Sequence, residues 1–321
     1  MVFYNLISSQ TFSIIAFILL ILLFRLTKNM TTFNYNPIRR ITIGILLISC
    51  ITLIASCSKH DLTSPESVAK NYTNVSYGTD PQQNMDIYLP AGRSSTTTPL
   101  LVLIHGGAWV SGDKSDFAPY IDSIKKVLPQ YAIANINYRL ATITGNYFPM
   151  QENDMDSATQ FLLRHINDYD VSGRFIYLGV SAGGQLALLQ AFKYNTPQAL
   201  AVVSFFGPSD MTDLYINSPD TALIKYLPIL MGGTPSQNPG MYFRSSPINY
   251  VTSHSCPTLL LQGGADPLVP PAEAFRLQDT LQELGVVNQL VYYPNDGHGW
   301  TGPDLQDSFE KIQAFLEKNV E

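Results

Sequence analysis

Ser181 lies in Gly179-Val180-Ser181-Ala182-Gly183, and the stretches on either side decide how that hydroxyl can be used. Arg174-Phe175-Ile176-Tyr177-Leu178 before it reads as a strand, and Gln185-Leu186-Ala187-Leu188-Leu189-Gln190-Ala191 after it reads as a helix. A serine on a sharp strand-to-helix bend is the setting of a nucleophile elbow. Such a bend is too tight for side chains two positions to either side, and Gly179 and Gly183 meet that need. A serine hydroxyl attacks a carbonyl only when a base takes its proton. The base in turn needs a carboxylate to hold its tautomer.

Elimination among the five histidines picks the base. His60 lies in a polar tether, His165 falls within a helical stretch, and His254 precedes a strand at the wrong end of a sheet. His105 closes a strand inside a glycine motif that has another task. His298, in Asp296-Gly297-His298-Gly299-Trp300, follows the last strand, where a loop reaches the carboxyl edge. For the carboxylate, Asp266 in Gly263-Gly264-Ala265-Asp266-Pro267 follows the penultimate strand. Asp296, Asp210 and Asp213 compete with it. Oxyanion donors are expected from His105-Gly106-Gly107-Ala108-Trp109, directly after an apolar strand. There the backbone N–H groups of Gly107 and Ala108, with that of Ala182, would point at one oxygen, and Gly106 permits the close turn.

The elements that must carry these loops follow from the hydrophobic pattern. Val75–Tyr77 and Met85–Leu89 alternate apolar and polar residues, as half-exposed strands do. Leu100–Ile104 is continuously apolar, as a strand buried on both faces of a parallel sheet must be. Tyr131–Asn137, Phe175–Leu178, Ala201–Phe206, Thr258–Leu261 and Gln289–Tyr293 read the same way. Helices are expected over Gln151–Asn167, Gln185–Lys193, Ala272–Leu284 and Asp307–Lys318. This alternation predicts an α/β fold, a doubly wound, mostly parallel sheet with helices on both faces, over residues 75–321. Residues 209–250, rich in Tyr, Pro, Asn and Ser, are too long for an ordinary connection and are expected to form a small cap.

These motifs together resemble an α/β-hydrolase esterase of the hormone-sensitive-lipase-like group. Within that group the chain is most similar to bacterial feruloyl and acetyl-xylan-type esterases. The resemblance rests on residues 105–114, Asn137-Tyr138-Arg139-Leu140, residues 179–184, Phe206-Gly207-Pro208-Ser209-Asp210, Gly263-Gly264-Ala265-Asp266 and Gly297-His298-Gly299. It implies Ser181 as nucleophile, His298 as base, Asp266 as its orienter and the amides of Gly107, Ala108 and Ala182 as the oxyanion hole. Ala108 stands where much of the group has a third glycine. The chain order serine, aspartate, histidine is also that of the α/β-hydrolases. The resemblance implies hydrolysis of carboxylic esters through an acyl-enzyme, on acetyl or feruloyl esters of carbohydrate. Trp109, Tyr215, Tyr242 and Trp300 are the aromatic candidates for stacking on a sugar or ferulate ring, or for packing alone. The same machinery would serve an amidase, formamidase or peptidase, and a non-catalytic hydrolase-fold binding protein is the reading from another class.

Charge and the N-terminal region bound the setting. Residues 1–57 hold four basic residues and no acid, so the rest, with 15 basic against 25 acidic residues, carries the negative charge. An acidic body without a basic patch argues against nucleic acid as a partner. Five histidines and three scattered cysteines imply no zinc framework, and no metal or cofactor is implied. Phe12–Phe24 is apolar enough to be a membrane-helix candidate. Arg39-Arg40, the apolar run Ile41–Ile54 and Ala55-Ser56-Cys57 resemble a bacterial lipoprotein signal peptide, with lipidation at Cys57. Cys50 is the rival, with a much shorter apolar run. A start at Met30 would make residues 30–56 the whole signal peptide and leave 1–29 outside the protein, whereas a start at Met1 adds a membrane helix. Either way the expected product is exported and held at a membrane by a lipid anchor, through a tether at 57–74, with no structural disulfide.

Overall fold

The computed structural model describes residues 67–194 and 197–320; the expected membrane helix, signal peptide and Cys57 lie outside the described residues. Eight strands form one sheet: β1 (Lys70–Ser76), β2 (Asn84–Leu89), β3 (Leu100–Ile104), β4 (Ala132–Ile136), β5 (Phe175–Val180), β6 (Ala199–Phe205), β7 (Thr258–Gly263) and β8 (Asn288–Tyr293). Their spatial order is β1-β2-β4-β3-β5-β6-β7-β8. β1 pairs with β2 and β2 with β4 in antiparallel fashion, and every later pairing is parallel. The alternating burial of β2 and the complete burial of β3 and β4 follow from that split. The doubly wound, mostly parallel sheet expected from the hydrophobic pattern is what the chain forms.

Successive residues of β3 feed opposite layers. Leu100, Val102 and Ile104 join one hydrophobic cluster, and Leu101 and Leu103 join the other. The first layer takes α2 (Met150–Arg164) through Met155, Ala158 and Leu162, and α4 (Ala182–Leu189) through Leu186 and Ala187. The second takes α1 (Ile121–Val127) through Ile121 and Ile124. A four-residue helix, α3 (Ile166–Tyr169), follows α2, and a π-helical turn, Gln190–Tyr194, extends α4.

The chain runs from β3 outward to β4, then returns across β3 to build β5 on its other side. The segments leaving β3 and β5 therefore lead to opposite faces, and a crevice opens between their carboxyl ends. That is the place where open α/β sheets hold ligands. The glycine motif of residues 105–109 follows β3 directly, and Ser181 follows β5 directly.

Residues 211–250 fold as α5 (Met211–Asn217), α6 (Thr221–Met231), α7 (Pro239–Ser245) and a 3-10 turn (Pro247–Tyr250). Two of the competing carboxylates are spent here. Asp210 caps α5 by accepting from the amides of Thr212 and Asp213. Asp213 pairs with Arg276, whose guanidinium holds its carboxyl below the usual range. After β7 come α8 (Ala272–Glu283) and, following β8, α9 (Gly302–Asn319), which adds Ile312, Phe315 and Leu316 to the second layer.

Three expectations need correction. The tether does not reach residue 74, because Lys70–Asn74 already belong to β1, paired with β2 from Lys70 opposite Leu89; most of this outer strand is exposed, so it carries no hydrophobic period. β8 reads in sequence as a strand buried on both faces, yet of its six residues only Tyr293 is buried and Tyr292 is 42% exposed. It is the last strand of the order and has no strand neighbour on its outer edge among the described residues. α9 starts at Gly302 rather than at Asp307. Gly302 and Pro303 read as a loop, but proline is well accommodated in a helix's first turn, where its missing N–H has no partner to lose.

Two buried carboxylates tie distant segments together. Asp154, fully buried on α2, accepts from Arg139 Nε at 2.8 Å, from the Arg139 amide at 2.9 Å and from Gln83 Nε2 at 2.8 Å. Glu273 on α8, equally buried, accepts from the amides of Ser209 and Asp210 and from the Ser209 hydroxyl, fastening the segment that leads into α5. Burial pushes the Glu273 carboxyl up from 4.5 to about 7, against those hydrogen bonds and the nearby Arg276.

Asp154→Ala strands the Arg139 guanidinium, so urea denaturation should show a loss of about 3–5 kcal/mol, part of it recovered when Arg139→Met is added. Glu273 holds a proton in the folded state over a pH range where the unfolded chain has released it. Its stabilisation is complete below 4.5 and is lost as pH rises through about 7. Thermal melts from about pH 4.5 to about pH 8 should show wild type losing stability relative to Glu273→Gln, whereas parallel curves would mean the group does not titrate there.

Candidate active site

The bend at Ser181 is strained. Its φ of 56° and ψ of −121° fall where residues with a Cβ rarely go. The strain is held from both sides: the Ser181 amide donates to the Phe205 carbonyl at 2.8 Å, and its carbonyl accepts from the amides of Gly184 and Gln185. A Cβ at 179 would stand 2.0 Å from the Gly183 carbonyl oxygen, and one at 183 would stand 2.2 Å from that of Ile104. Glycine at both positions is a packing requirement set by the approach of three backbone segments. Ser181 is left at the carboxyl end of the sheet with its hydroxyl directed toward the loop after β8.

That loop brings in His298. Its Nε2 lies 2.8 Å from Ser181 Oγ, and its Nδ1 lies 2.8 Å from Asp266 Oδ2. The Asp266 side chain is fully buried, and that of His298 is 15% exposed. Asp266 Oδ1 accepts from the amides of Leu268 at 2.8 Å and Val269 at 3.0 Å, so the carboxylate is fixed by its own turn. An ionised carboxylate only accepts, so Nδ1 carries the proton, and Nε2 is left to accept from the serine hydroxyl. Phe206 packs its ring against the imidazole at 4.5 Å, itself held at a positive φ of 38°. Asp296 does not take the carboxylate's place: its carbonyl accepts from the Ala265 amide, and the imidazole turns to Asp266.

Opposite the serine, the loop after β3 turns through three successive positive φ values: 101° at Gly107, 49° at Ala108 and 63° at Trp109. Among the described residues, none accepts a bond from the N–H groups of Gly107, Ala108 or Ala182. Donors of this kind, held without partners, are what an incoming oxyanion needs. The loop is braced from several directions. His105 is buried, with its Nδ1 donating to the Gly106 carbonyl at 2.8 Å and its ring stacked on Tyr138 at 4.3 Å. Burial lowers its pKa, which keeps the imidazole neutral. The Tyr138 hydroxyl donates to the carbonyls of His105 and Gly106. Further on, Asn137 accepts from the Lys114 amide and donates to Asp113, while the Lys114 ammonium pairs with Asp86 and donates to Asn74.

The aromatic candidates separate. Trp109 and Trp300 line the cavity in front of Ser181. Trp109 is buried and held there by its Nε1 donating to Gln185. Tyr215 and Tyr242 do not line it: Tyr242 is fully buried and meets Tyr215 edge to face at 6.1 Å, so both pack within the 211–250 segment. Aromatic spacing in sequence carries no information about which face of a helix looks into a cavity. His165 stacks on Phe161, and His254 lies in an exposed turn, so neither approaches the serine. Sequence reasoning gave no role to Tyr138, Arg139 or Phe206. All three lie inside stretches that carry the resemblance, which was the available signal. No group of three or more His, Cys, Asp or Glu residues among the described residues is arranged to hold a metal.

The site's geometry agrees with what the chain is similar to. The BD-FAE family model matches residues 85–281. The probable carboxylic ester hydrolase LipM of Mycobacterium tuberculosis is 31% identical over 238 residues, 68% of this chain and 53% of that protein. Esterase LipC of the same organism is 27% identical over 250 residues, 73% of this chain and 60% of that protein. The chain thus spans little more than half of the length of these curated relatives. Among solved structures, a truncated carbohydrate esterase from gut microbiota superposes with a TM-score of 0.66 at 22% identity, covering 80% of this chain and 98% of that one. The fold is that of the α/β-hydrolases, and by the match over residues 85–281 the chain belongs to the BD-FAE family.

Proposed function

We propose that this protein is a serine carboxylic-ester hydrolase that works through an acyl-enzyme on acetyl or feruloyl esters of carbohydrate. The observation that carries the reading is the unbroken relay from Ser181 Oγ through His298 to Asp266, facing three unclaimed amides. Ser181 Oγ attacks the ester carbonyl carbon as His298 Nε2 takes its proton. The carbonyl oxygen, now negative, accepts from the amides of Gly107, Ala108 and Ala182. Each such donor contributes about 3 kcal/mol of transition-state stabilisation. Asp266 holds the imidazole in the productive tautomer and stabilises the imidazolium that forms. Collapse of the intermediate breaks the bond to the alcohol, to which His298 returns the proton. The same imidazole then activates water, which attacks the acyl-serine and frees the acid.

The carbohydrate alcohol is supported by the likeness to a carbohydrate esterase and by a cavity rim with exposed Val110, Ser111 and Ala222, where a bulky leaving group can sit. An acidic body favours a neutral oligomeric substrate over an anionic one. Export and membrane attachment through Cys57 form the second part of the proposal, supported by the basic, apolar and small-residue order of residues 39–57.

A fluorophosphonate probe should label the wild type and leave Ser181→Ala unlabelled; equal labelling of both would remove the serine from the mechanism. With p-nitrophenyl acetate, Asp266→Asn should lower kcat by about 10⁴ through the wrong imidazole tautomer, while Asp296→Asn should change it little. Mass spectrometry of the membrane-extracted protein should find a lipid-modified N-terminus at Cys57, and a mature peptide spanning Thr27–Asn36 would overturn that assignment.

A further inference from the structure

Trp109 closes the run of positive φ values that follows β3, and it is the bulkiest residue of that run. At a φ of 63° it stands where large side chains are rarely found, so the conformation lasts only if the surroundings impose it. Backbone bonds supply part of the restraint. The Trp109 carbonyl accepts from the Ala141 amide at 2.8 Å, and the Gly107 carbonyl accepts from the amides of Val110 and Ser111, both at 3.0 Å. The indole is held separately. Phe148 meets it edge to face at 6.5 Å, and its Nε1 donates to Gln185 Oε1 at 3.1 Å.

Gln185 is fully buried on α4, and its backbone amide donates to the Ser181 carbonyl, one turn beyond the nucleophile. Its side-chain Nε2 donates to the carbonyl of Ser245, the last residue of α7, at 2.7 Å. An indole N–H can only donate and a backbone carbonyl can only accept, so the amide has a single satisfactory orientation. The far end of the bridge is firm. The next residue, buried Ser246, donates through its hydroxyl to the Tyr242 carbonyl and accepts from the Met211 amide, which joins α7 to the start of α5. One buried side chain thus links the helix behind the nucleophile, the loop after β3 and the 211–250 segment.

We propose that Gln185 is a positioning residue for the oxyanion hole, acting through Trp109. By holding the indole, it keeps the strained turn of residues 107–109 from relaxing and so keeps the amides of Gly107 and Ala108 aimed beside Ser181. This rests on the ester-hydrolase reading and deepens it. Cutting the bond leaves buried polar atoms unpaired and frees the side chain that opposes relaxation of the backbone at 109. Ala108 shares a peptide with Trp109, so that relaxation displaces the Ala108 amide as well. Such donors act because they are aimed before charge develops, and a small displacement is felt in kcat. The relay of Ser181, His298 and Asp266 uses none of the side-chain atoms in the bridge.

The test is a double-mutant cycle. Gln185→Met keeps the length of the side chain and removes both polar atoms; Trp109→Phe keeps an aromatic ring and removes the donor. With p-nitrophenyl acetate, each single variant should lower kcat by about ten- to about a hundredfold while KM changes by less than about threefold. The double variant should lose about as much as the worse single one, because both cut the same bond. Trifluoroacetophenone reads the hole directly. Ser181 Oγ adds to its carbonyl carbon, His298 takes the proton, and the former carbonyl oxygen becomes an alkoxide facing the amides. Its affinity should fall in step with kcat. A purely structural role would lower Tm and leave kcat and this affinity at wild-type values, and that result overturns the proposal, as do losses that multiply in the double variant. If Gln185→Met does not fold, Trp109→Phe decides alone, and unchanged kcat and inhibitor affinity in it are equally fatal. An active wild type with unaffected variants sinks this inference only; a wild type with no turnover and no fluorophosphonate label sinks the hydrolase reading with it.

Discussion

A backbone that must turn from strand to helix within one residue, at the crevice where two loops part, sets most of what else the chain does. Ser181 takes a conformation costing of order 1–3 kcal/mol for a residue with a side chain, and it persists only because its neighbours leave no alternative. The β6 carbonyl at Phe205 takes its amide, and the first turn of α4 takes its carbonyl. Three backbone segments approach too closely for a Cβ at 179 or 183. The strain places the hydroxyl outside the sheet, where histidine and amides from other loops can reach it. A relaxed turn would bury it against the strand ends.

The same economy runs through the supporting contacts. The loop after β3 carries three positive φ values in a row, two of them at residues with side chains. It is kept by Tyr138 beneath its carbonyls and by the Asn137–Lys114–Asp86 chain at its far end. Each loop is thus fastened to the sheet by hydrogen bonds whose partners come from well-separated parts of the chain. Preorganised donors are effective because their orientation is settled before charge develops. The bracing and the unclaimed amides are two sides of one requirement.

The cavity adds a consequence of topology. Because the chain reverses direction across β3, the layers on the two faces end at the same crevice, and a space opening there borrows walls from both. Phe117 and Ile124 line that space on one side, and on the other Leu214 and Leu223 come from helices whose leading segment is fastened by the buried Glu273.

Much of this was legible in the chain. Alternation in β2 and continuous apolarity in β3 separate half-exposed from buried strands, because a pleated strand presents successive residues to opposite faces. The glycine spacing around Ser181 and the loops after β3, β7 and β8 mark the site, because tight turns and strand ends restrict which residue types can stand there. Position relative to the sheet edge picked His298 from the other histidines, whereas Asp296, Asp210 and Asp213 still competed with Asp266 for the carboxylate. Tertiary structure decided what periodicity cannot encode: that β8 is an edge, that Tyr242 turns into packing while Trp109 and Trp300 face the cavity, and that Phe117 and Phe309 both line it. Those outcomes depend on how whole elements lie against each other, a relation between residues up to about 200 positions apart in the chain that short-range pattern does not carry.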